Sequence, residues 1–420
     1  MPIQRTHSYR GGGPTAQTAA LPINTSPAQL RSRLVATFAF IVIVVSFLDT
    51  MAQLPVLPLF VQSLGAGARM VGIVLAAYSI ANMAGNISAG LVIDRFGRKT
   101  GIVIGMAVAG SAVALYAVVT SAQQLLFLRV LHGLGGAILV PAAFAFAGDA
   151  SREENAGRAM GRAGAAVALA AMLGPAAGGI FRATFGPRPL FLTLAALMAI
   201  TAILVIVFLP ESYREVRRDT SPVPFSQRLR PIIRDRRLLF VFVAILFVQM
   251  AMGTLSFALP LAVDAAGFSA ARTGSLFSIF ALVAIALFVA PTAGLSDRYG
   301  RPVLIRIGMI ALTASLAILA LGNSIPLMAG AMVVYGIGYG LAFPAMCATV
   351  VDRTDRTNRG TGFGVFYAVF SLGVAAGPIA SGALVEAGVS PTAVIAVALV
   401  VAQLILFAVG RKSGAAQGHV

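Results

Sequence analysis

Reactive side chains are scarce in this chain. It has one cysteine and three histidines in 420 residues, and only 11% of its residues are charged, where a soluble domain carries roughly 25%. The lone Cys347 lies inside an apolar run, which excludes a disulfide framework and a thiol metal site and leaves a small apolar filler. No histidine or cysteine set has metal-ligand spacing, and no G-x-x-x-x-G-K-S/T loop is present to hold a nucleotide phosphate. No metal, no ATP drive and no other cofactor is therefore expected. Lysine is nearly missing as well: Lys99 and Lys412 are the two among 31 basic residues, as a GC-rich bacterial coding bias would produce.

Apolar residues make up 58% of the chain. Runs of about 20 residues, long enough to cross a hydrocarbon core of about 30 Å as helix, recur over most of its length. Twelve spans read out at roughly 34–62, 69–93, 100–120, 123–148, 158–183, 189–210, 238–263, 272–296, 303–321, 325–351, 361–386 and 392–410. The expected class is an all-α membrane protein. Residues 1–33, rich in Gly, Pro, Ala, Ser and Thr, are expected to be a disordered basic arm and not a cleaved signal. Six helices follow over 34–210, a linker over 211–237 with Pro222, Pro224 and Pro231, six more helices over 238–410, and a tail over 411–420. The basic second half of the linker suits either a solvated tether or a segment lying on anionic headgroups.

The net charge of +17 would suggest nucleic acid in a soluble chain, but its placement gives another reading. Apart from Arg69, Arg129, Arg182, Arg188 and Arg272, all the basic residues fall in the two termini and in every second loop. That asymmetry is the positive-inside pattern. It puts both termini in the cytoplasm, makes a bacterial inner membrane the expected location and the lipid bilayer the expected surroundings, and removes the case for nucleic acid.

The segment Gly90–Lys99, GLVIDRFGRK, joins two apolar runs through a tight charged turn containing Asp94, Arg95, Gly97 and Arg98. It returns about 203 residues later as AGLSDRYGRP, Ala293–Pro302. At the same offset Gly133 and Gly135 map to Gly336 and Gly338, Asp149 to Asp352, and Gly174–Pro175 to Gly377–Pro378. Parallel six-plus-six repeats are one of the few architectures of membrane transporters, with the site between the halves near the midplane. The repeat also gives two matching charge sets at the cytoplasmic face, Asp94, Arg98 and Asp149, and Asp297, Arg301 and Asp352. They suit a latch that closes this face and opens when the halves rock; plain topology charges are the alternative.

Of 14 acidic residues, Asp49 alone falls in the middle of a span, roughly 22 Å from its inner end. A carboxylate there costs at least about 2.5 to 3.5 kcal/mol, which calls for a proton, a cation or a fixed partner. Arg129, on the order of 10 Å deep in the fourth span, is the expected partner, and the Asp49–Arg129 pair the expected coupling element. His132, one turn from Arg129, is either a proton relay or a packing histidine.

These residues resemble the major facilitator superfamily, and within it the twelve-span drug/proton antiporter branch. The likeness rests on Gly90, Asp94, Arg95, Gly97, Arg98 and Lys99 between spans 2 and 3, on Arg129, Gly133 and Gly135 in span 4, and on Gly174, Pro175, Gly178 and Gly179 in span 5, matching G-P-x-x-G-G. His132 stands where the family commonly has glutamine, and Ala170 where it often has glycine. The resemblance implies alternating access by a single chain holding both halves, in exchange for protons, and the span-5 pattern goes with export of amphipathic or cationic organic molecules. An uptake or exchange carrier for a metabolite is the alternative, and a non-transporting scaffold or sensor the second; none of these is an enzyme. By the same likeness spans 1, 4, 7 and 10 line the cavity. Gln53, Gln249, Tyr335 and Tyr339, with Asp49 and the span-2 stripe of Tyr78 and Asn82, are then expected at the substrate, unless they make ordinary interhelical hydrogen bonds.

Overall fold

A computed structural model describes residues 27–149, 156–209, 225–289, 298–322, 324–355 and 358–415. Helix is the only regular structure among them, as lipid requires: without water, backbone polar groups must pair within their own segment. The helices are α1 (Pro27–Gln53), α2 (Leu57–Ser63), α3 (Ala68–Phe96), α4 (Arg98–Tyr116), α5 (Ala122–Asp149), α6 (Ala156–Phe185), α7 (Pro187–Phe208), α8 (Phe225–Arg234), α9 (Arg236–Ala265), α10 (Ala270–Val289), α11 (Arg301–Leu321), α12 (Ile325–Asp352), α13 (Arg359–Glu386) and α14 (Pro391–Ala415). Among the described residues eleven are long and apolar enough to cross a membrane, and Pro391–Leu404 is a shorter twelfth apolar helix. The chain is an integral membrane protein.

One expected span is broken. Pro55 has no amide hydrogen and its ring opposes a continuing helix, so the run 34–62 divides into α1 and α2. The turn between them closes through Leu54 N–H to Met51 O and Val56 N–H to Gln53 O. The linker also holds more order than a tether, since α8 occupies its second half with Ile232 buried. The two charged turns share a glycine that only glycine tolerates, Gly97 at φ 92° and Gly300 at φ 80°. Gly97 donates its N–H to Ile93 O, which ends α3. These turns mark one end of the bundle, called here the basic face.

Neighbour relations repeat between the halves. In the first, α1 packs on α6, α5 on α3 and α4, and α4 on α7. In the second, α9 packs on α13, α12 on α10 and α11, and α11 on α14. The two main contacts between the halves are α3 with α13 and α6 with α10. Both use glycines with no room for a Cβ: Gly72 lies on Pro378 O, Gly382 on Ala68 O, Gly274 on Pro175 O and Gly179 on Ala270 O. Such contacts replace the hydrophobic drive that lipid does not supply. They lie toward the face opposite the basic turns, where Arg69 N–H also donates to Glu386 Oε1 at 3.1 Å. In this conformation the halves are therefore sealed together at that face.

A second contact fixes the linker. Asp235 caps α9, accepting from Arg237 N at 2.7 Å and Leu238 N at 3.1 Å, and also binds Arg353 Nη2 at 2.6 Å. Burial pushes its carboxyl up, but the Arg353 guanidinium and the two amides outweigh that and hold it below the ordinary 3.8. A depressed folded-state value stabilises the fold above the ordinary carboxylate range, and the contribution is lost as pH falls through the folded value. The melting temperature in detergent is thus expected to fall between about pH 5 and pH 3 by more in the wild type than in Asp235→Asn; equal falls would show that the pair contributes nothing. Gly274→Leu should force the halves apart at the sealed face. In a Cys347→Ser, Ala68→Cys background the expected result is faster labelling by a membrane-impermeant thiol reagent, and an unchanged rate in folded protein would contradict the seal.

Candidate functional site

The site is assembled where backbones come closest. Gly133 of α5 lies on Tyr78 O and Ala81 of α3, while Gly135 lies on the Ala109 backbone of α4. These approaches hold His132 between α1, α3 and α4. Gly174 and Gly178 of α6, one turn apart, press on Met51 and Ala52 of α1, beside Asp49. Ala170, one turn earlier on α6, is itself fully packed.

Asp49 is 2% exposed and His132 is 1% exposed. Gln53, four residues on and so on the same helix face, donates from Nε2 to Asp49 Oδ1 at 2.7 Å. His132 Nε2 lies 2.7 Å from Asp49 Oδ2, and its Nδ1 lies 3.0 Å from the Tyr116 hydroxyl. The Tyr78 ring stands edge-on to His132 at 4.8 Å. The carboxylate, imidazole and phenol thus form one buried chain running from mid-span toward the last residue of α4.

Arg129 is not in direct contact with Asp49, whose oxygens are taken by Gln53 and His132. Its guanidinium turns to α3, donating from Nε to Val74 O and from Nη2 to Leu75 O, each at 3.4 Å, and lies over the Tyr78 ring at 4.8 Å. The expected Asp49–Arg129 pair is therefore not made: His132 stands beside Asp49 instead, and the Tyr78 ring lies against both His132 and Arg129. The physical reason is depth: Arg129 lies three residues nearer the start of α5 than His132, and the shorter imidazole already fills the gap to α1. Tyr116 carried no expectation from sequence. A phenol ending an apolar span needs a partner for its hydroxyl, and that was the available signal.

The second half contributes a different surface. Gln249 on α9 and Tyr335 on α12 are buried, and neither Gln249 Oε1 nor the Tyr335 hydroxyl has a hydrogen-bond partner. Tyr335 and Tyr339 both stand edge-on to Phe280, at 5.2 and 5.7 Å, and Tyr339 stacks on Phe343 at 5.3 Å. Of the span-2 stripe, Asn82 donates to Gly133 O at 3.4 Å and accepts from Asn86 at 3.0 Å, an interhelical bond in this conformation.

At the basic face Arg301 Nη1 pairs with Asp352 Oδ2 at 2.5 Å, with the side chains 28% and 50% exposed. The side chains of Asp94, Arg95 and Asp149, the surroundings of Gly90, and Asp297 as a whole lie outside the described residues. Arg98 is half-buried beside Gly97. Pro175, next to Gly174, meets Gly274 of the other half. No cluster of metal-ligating side chains occurs among the described residues.

An unpaired buried hydroxyl loses nothing in the empty protein when removed. Tyr335→Phe is expected to keep the unfolding free energy within about 1 kcal/mol of wild type or to raise it. A larger loss by chemical denaturation would reveal a partner for that hydroxyl.

Several known proteins are similar to this chain. Multidrug resistance protein 2 of Bacillus subtilis (strain 168) is 26% identical over 273 residues, covering 64% of this chain and 68% of that protein. The multi-drug resistance efflux pump PmrA of Streptococcus pneumoniae serotype 4 is 26% identical over 342 residues, 79% and 84% of the two chains. Among solved structures, a bacterial homolog of the human lysosomal transporter Spinster, inward-facing and unoccupied, superposes with a TM-score of 0.76 at 15% identity over 92% of this chain and 98% of that one. The nucleoside transporter NupG gives 0.76 at 16% identity over 89% and 98%. At such identities these superpositions speak to fold alone. The family described as Major Facilitator Superfamily matches residues 39–294 and 241–417, and with its repeated helix contacts and glycine-sealed halves the chain belongs to that superfamily of transporters.

Proposed function

We propose that this protein is a proton-coupled exporter of small amphipathic or cationic organic molecules, working by alternating access. The observation that carries the reading is Asp49: a buried carboxylate in mid-span whose hydrogen-bond partners are a histidine and a glutamine, with no guanidinium or ammonium paired to it. A proton and a substrate cation would compete for that carboxylate, and such competition is antiport. The efflux-pump names of relatives at about one-quarter identity support export over uptake.

The remaining roles follow. Gln53, Gln249, Tyr335 and Tyr339 with Tyr78 and Asn82 line the substrate path; the unpartnered Gln249 and Tyr335 groups offer hydrogen bonds, and the Phe280, Tyr339 and Phe343 rings a flat apolar wall. Arg301–Asp352, with its counterpart Asp94, Arg98, Asp149 and with Arg95 and Asp297 in the same turns, forms the latch at the basic face. Gly174 and Pro175 seal the opposite one. The positive-inside pattern places the basic face and both termini in the cytoplasm of a bacterial cell, and a monomer suffices.

The test uses everted vesicles and the permeant aromatic cation ethidium. Wild-type vesicles with a preformed proton gradient should accumulate ethidium and release protons on its addition. Asp49→Asn should reduce both to the level of vesicles without the protein. Full proton-driven accumulation in Asp49→Asn would overturn the reading, and uptake in the opposite direction would make the protein an importer.

A further inference from the structure

We propose that the cleft at the far end of α9 is a second binding site for amphipathic organic cations, and that filling it from that side holds the two halves sealed. It opens at the face opposite the basic turns, and Asp49 is not among its lining residues.

The cleft has a volume of about 470 Å³, within the roughly 300–1,000 Å³ of ordinary small-molecule sites. Its long wall is the last turns of α9, from Phe257 to Ala265. The end of α11 at Leu319, the start of α12 at Met328 and the start of α14 at Ser390 and Thr392 close the other sides. The walls are mostly apolar, and Asp264 is the single charged residue of the lining. The Ser390 and Thr392 hydroxyls bond each other at 3.1 Å, so they make little demand on a ligand. The Asp264 carboxylate makes no side-chain hydrogen bond or ion pair among the described residues. Arg182 of α6 is near enough to feel its charge, but Nη1 of Arg182 donates instead to Pro55 O and Val56 O, at 3.5 and 3.4 Å. The carboxylate is thus left to a cation from solution, and the walls to that cation's hydrocarbon body.

One lining residue belongs to the other half. Gln62 stands on α2, which packs against α9. Phe257 is fully buried in the apolar cluster that holds Ala52, Leu57 and Phe60 of the first half, and Ala258 and Leu261 pack on the same cluster. The cleft is therefore built across a joint and is complete only while the halves meet at this face. A ligand that fits one conformation alone shifts the population toward it by its differential affinity. An occupant reaching from Asp264 to Gln62 works as a staple against opening. On the export reading above, on which this consequence rests, cations accumulating outside would slow their own release.

The probe is propidium, a membrane-impermeant aromatic dication, added to the full chain in phosphatidylglycerol nanodiscs, which supply no lipid ammonium to compete. Cys347→Ser removes the one cysteine, and Ala265→Cys puts a thiol in the exposed lining next to Asp264. Saturating propidium should slow labelling of that thiol by an impermeant maleimide roughly threefold or more. Asp264→Asn should abolish the protection, and Asp49→Asn should keep it. No protection, or protection that survives Asp264→Asn, would overturn the site; loss in Asp49→Asn would move the effect to the mid-span acid and overturn it equally. Anilinonaphthalene sulfonate, an aromatic anion, should protect nothing, and protection equal to that by propidium would refute the cation preference.

Sealing is read at Ala68→Cys in the same Cys347→Ser background. Ala68 lies outside the lining, against Gly382 of the other half, so a slower rate there reports closure and not cover. Propidium should lower this rate as well, except in Asp264→Asn. An unchanged rate with the cleft protected would refute the staple. Neither measurement involves transport, so a protein that binds and seals but exchanges no ethidium for protons would lose the transport reading and keep the site.

Discussion

The structure depends on keeping one carboxylate dry. Asp49 at mid-span is intolerable as a bare charge, and the protein's answer is a hydrogen-bond set built from four helices. α1 supplies the acid and Gln53, α5 the imidazole, α4 the phenol and α3 the ring beneath it. That set works only if the helices meet at backbone distance. This explains the glycines at 133 and 135 on one side and at 174 and 178 on the other: a methyl group at any of them would separate the helices that hold the acid and its partners.

The span-5 pattern does two things at once. Gly174 and Gly178 face α1, while Pro175 and Gly179, one residue on, face α10 of the other half. A single helix turn of α6 therefore touches both the acid's helix and the seal between halves. On the proposed reading, any change at Asp49 that moves α1 pushes on the surface that would open when the halves rock. Coupling between site and gate then needs no long chain of intermediaries, only one helix with two tightly packed faces.

Much of this was legible in the sequence, and what was not has a common cause. The repeated turn, the glycine patterns and the isolated Asp49 are visible because each is a departure from an apolar background. The superfamily and the two halves follow from them. Pro55 is equally visible, yet the apolar run continues through it, because hydropathy does not register a missing amide hydrogen. Partners were the illegible part. Whether Asp49 meets Arg129 or His132 depends on how α5 is rotated and how deep it sits, and a shift of three residues along a helix changes the answer. Tyr116 stayed hidden because its bond to His132 joins helix ends whose relative height no periodicity encodes.

The halves share a scaffold but not a chemistry, and the difference bears on the partner chosen for the acid. A guanidinium bound directly to Asp49 would hold the carboxylate ionised, and neither a proton nor a substrate cation could compete for it. With an imidazole beside the acid in its place, the proposed exchange of proton and substrate cation meets no such fixed charge. Among the described residues the second half has no counterpart to this set: it offers an unpartnered Gln249 and Tyr335 beside aromatic rings. One wall thus carries an acid and an imidazole while the other is neutral and greasy. On the proposed reading, a molecule held by both would carry a charge at one end and an apolar face at the other, which agrees with the amphipathic ligands proposed above.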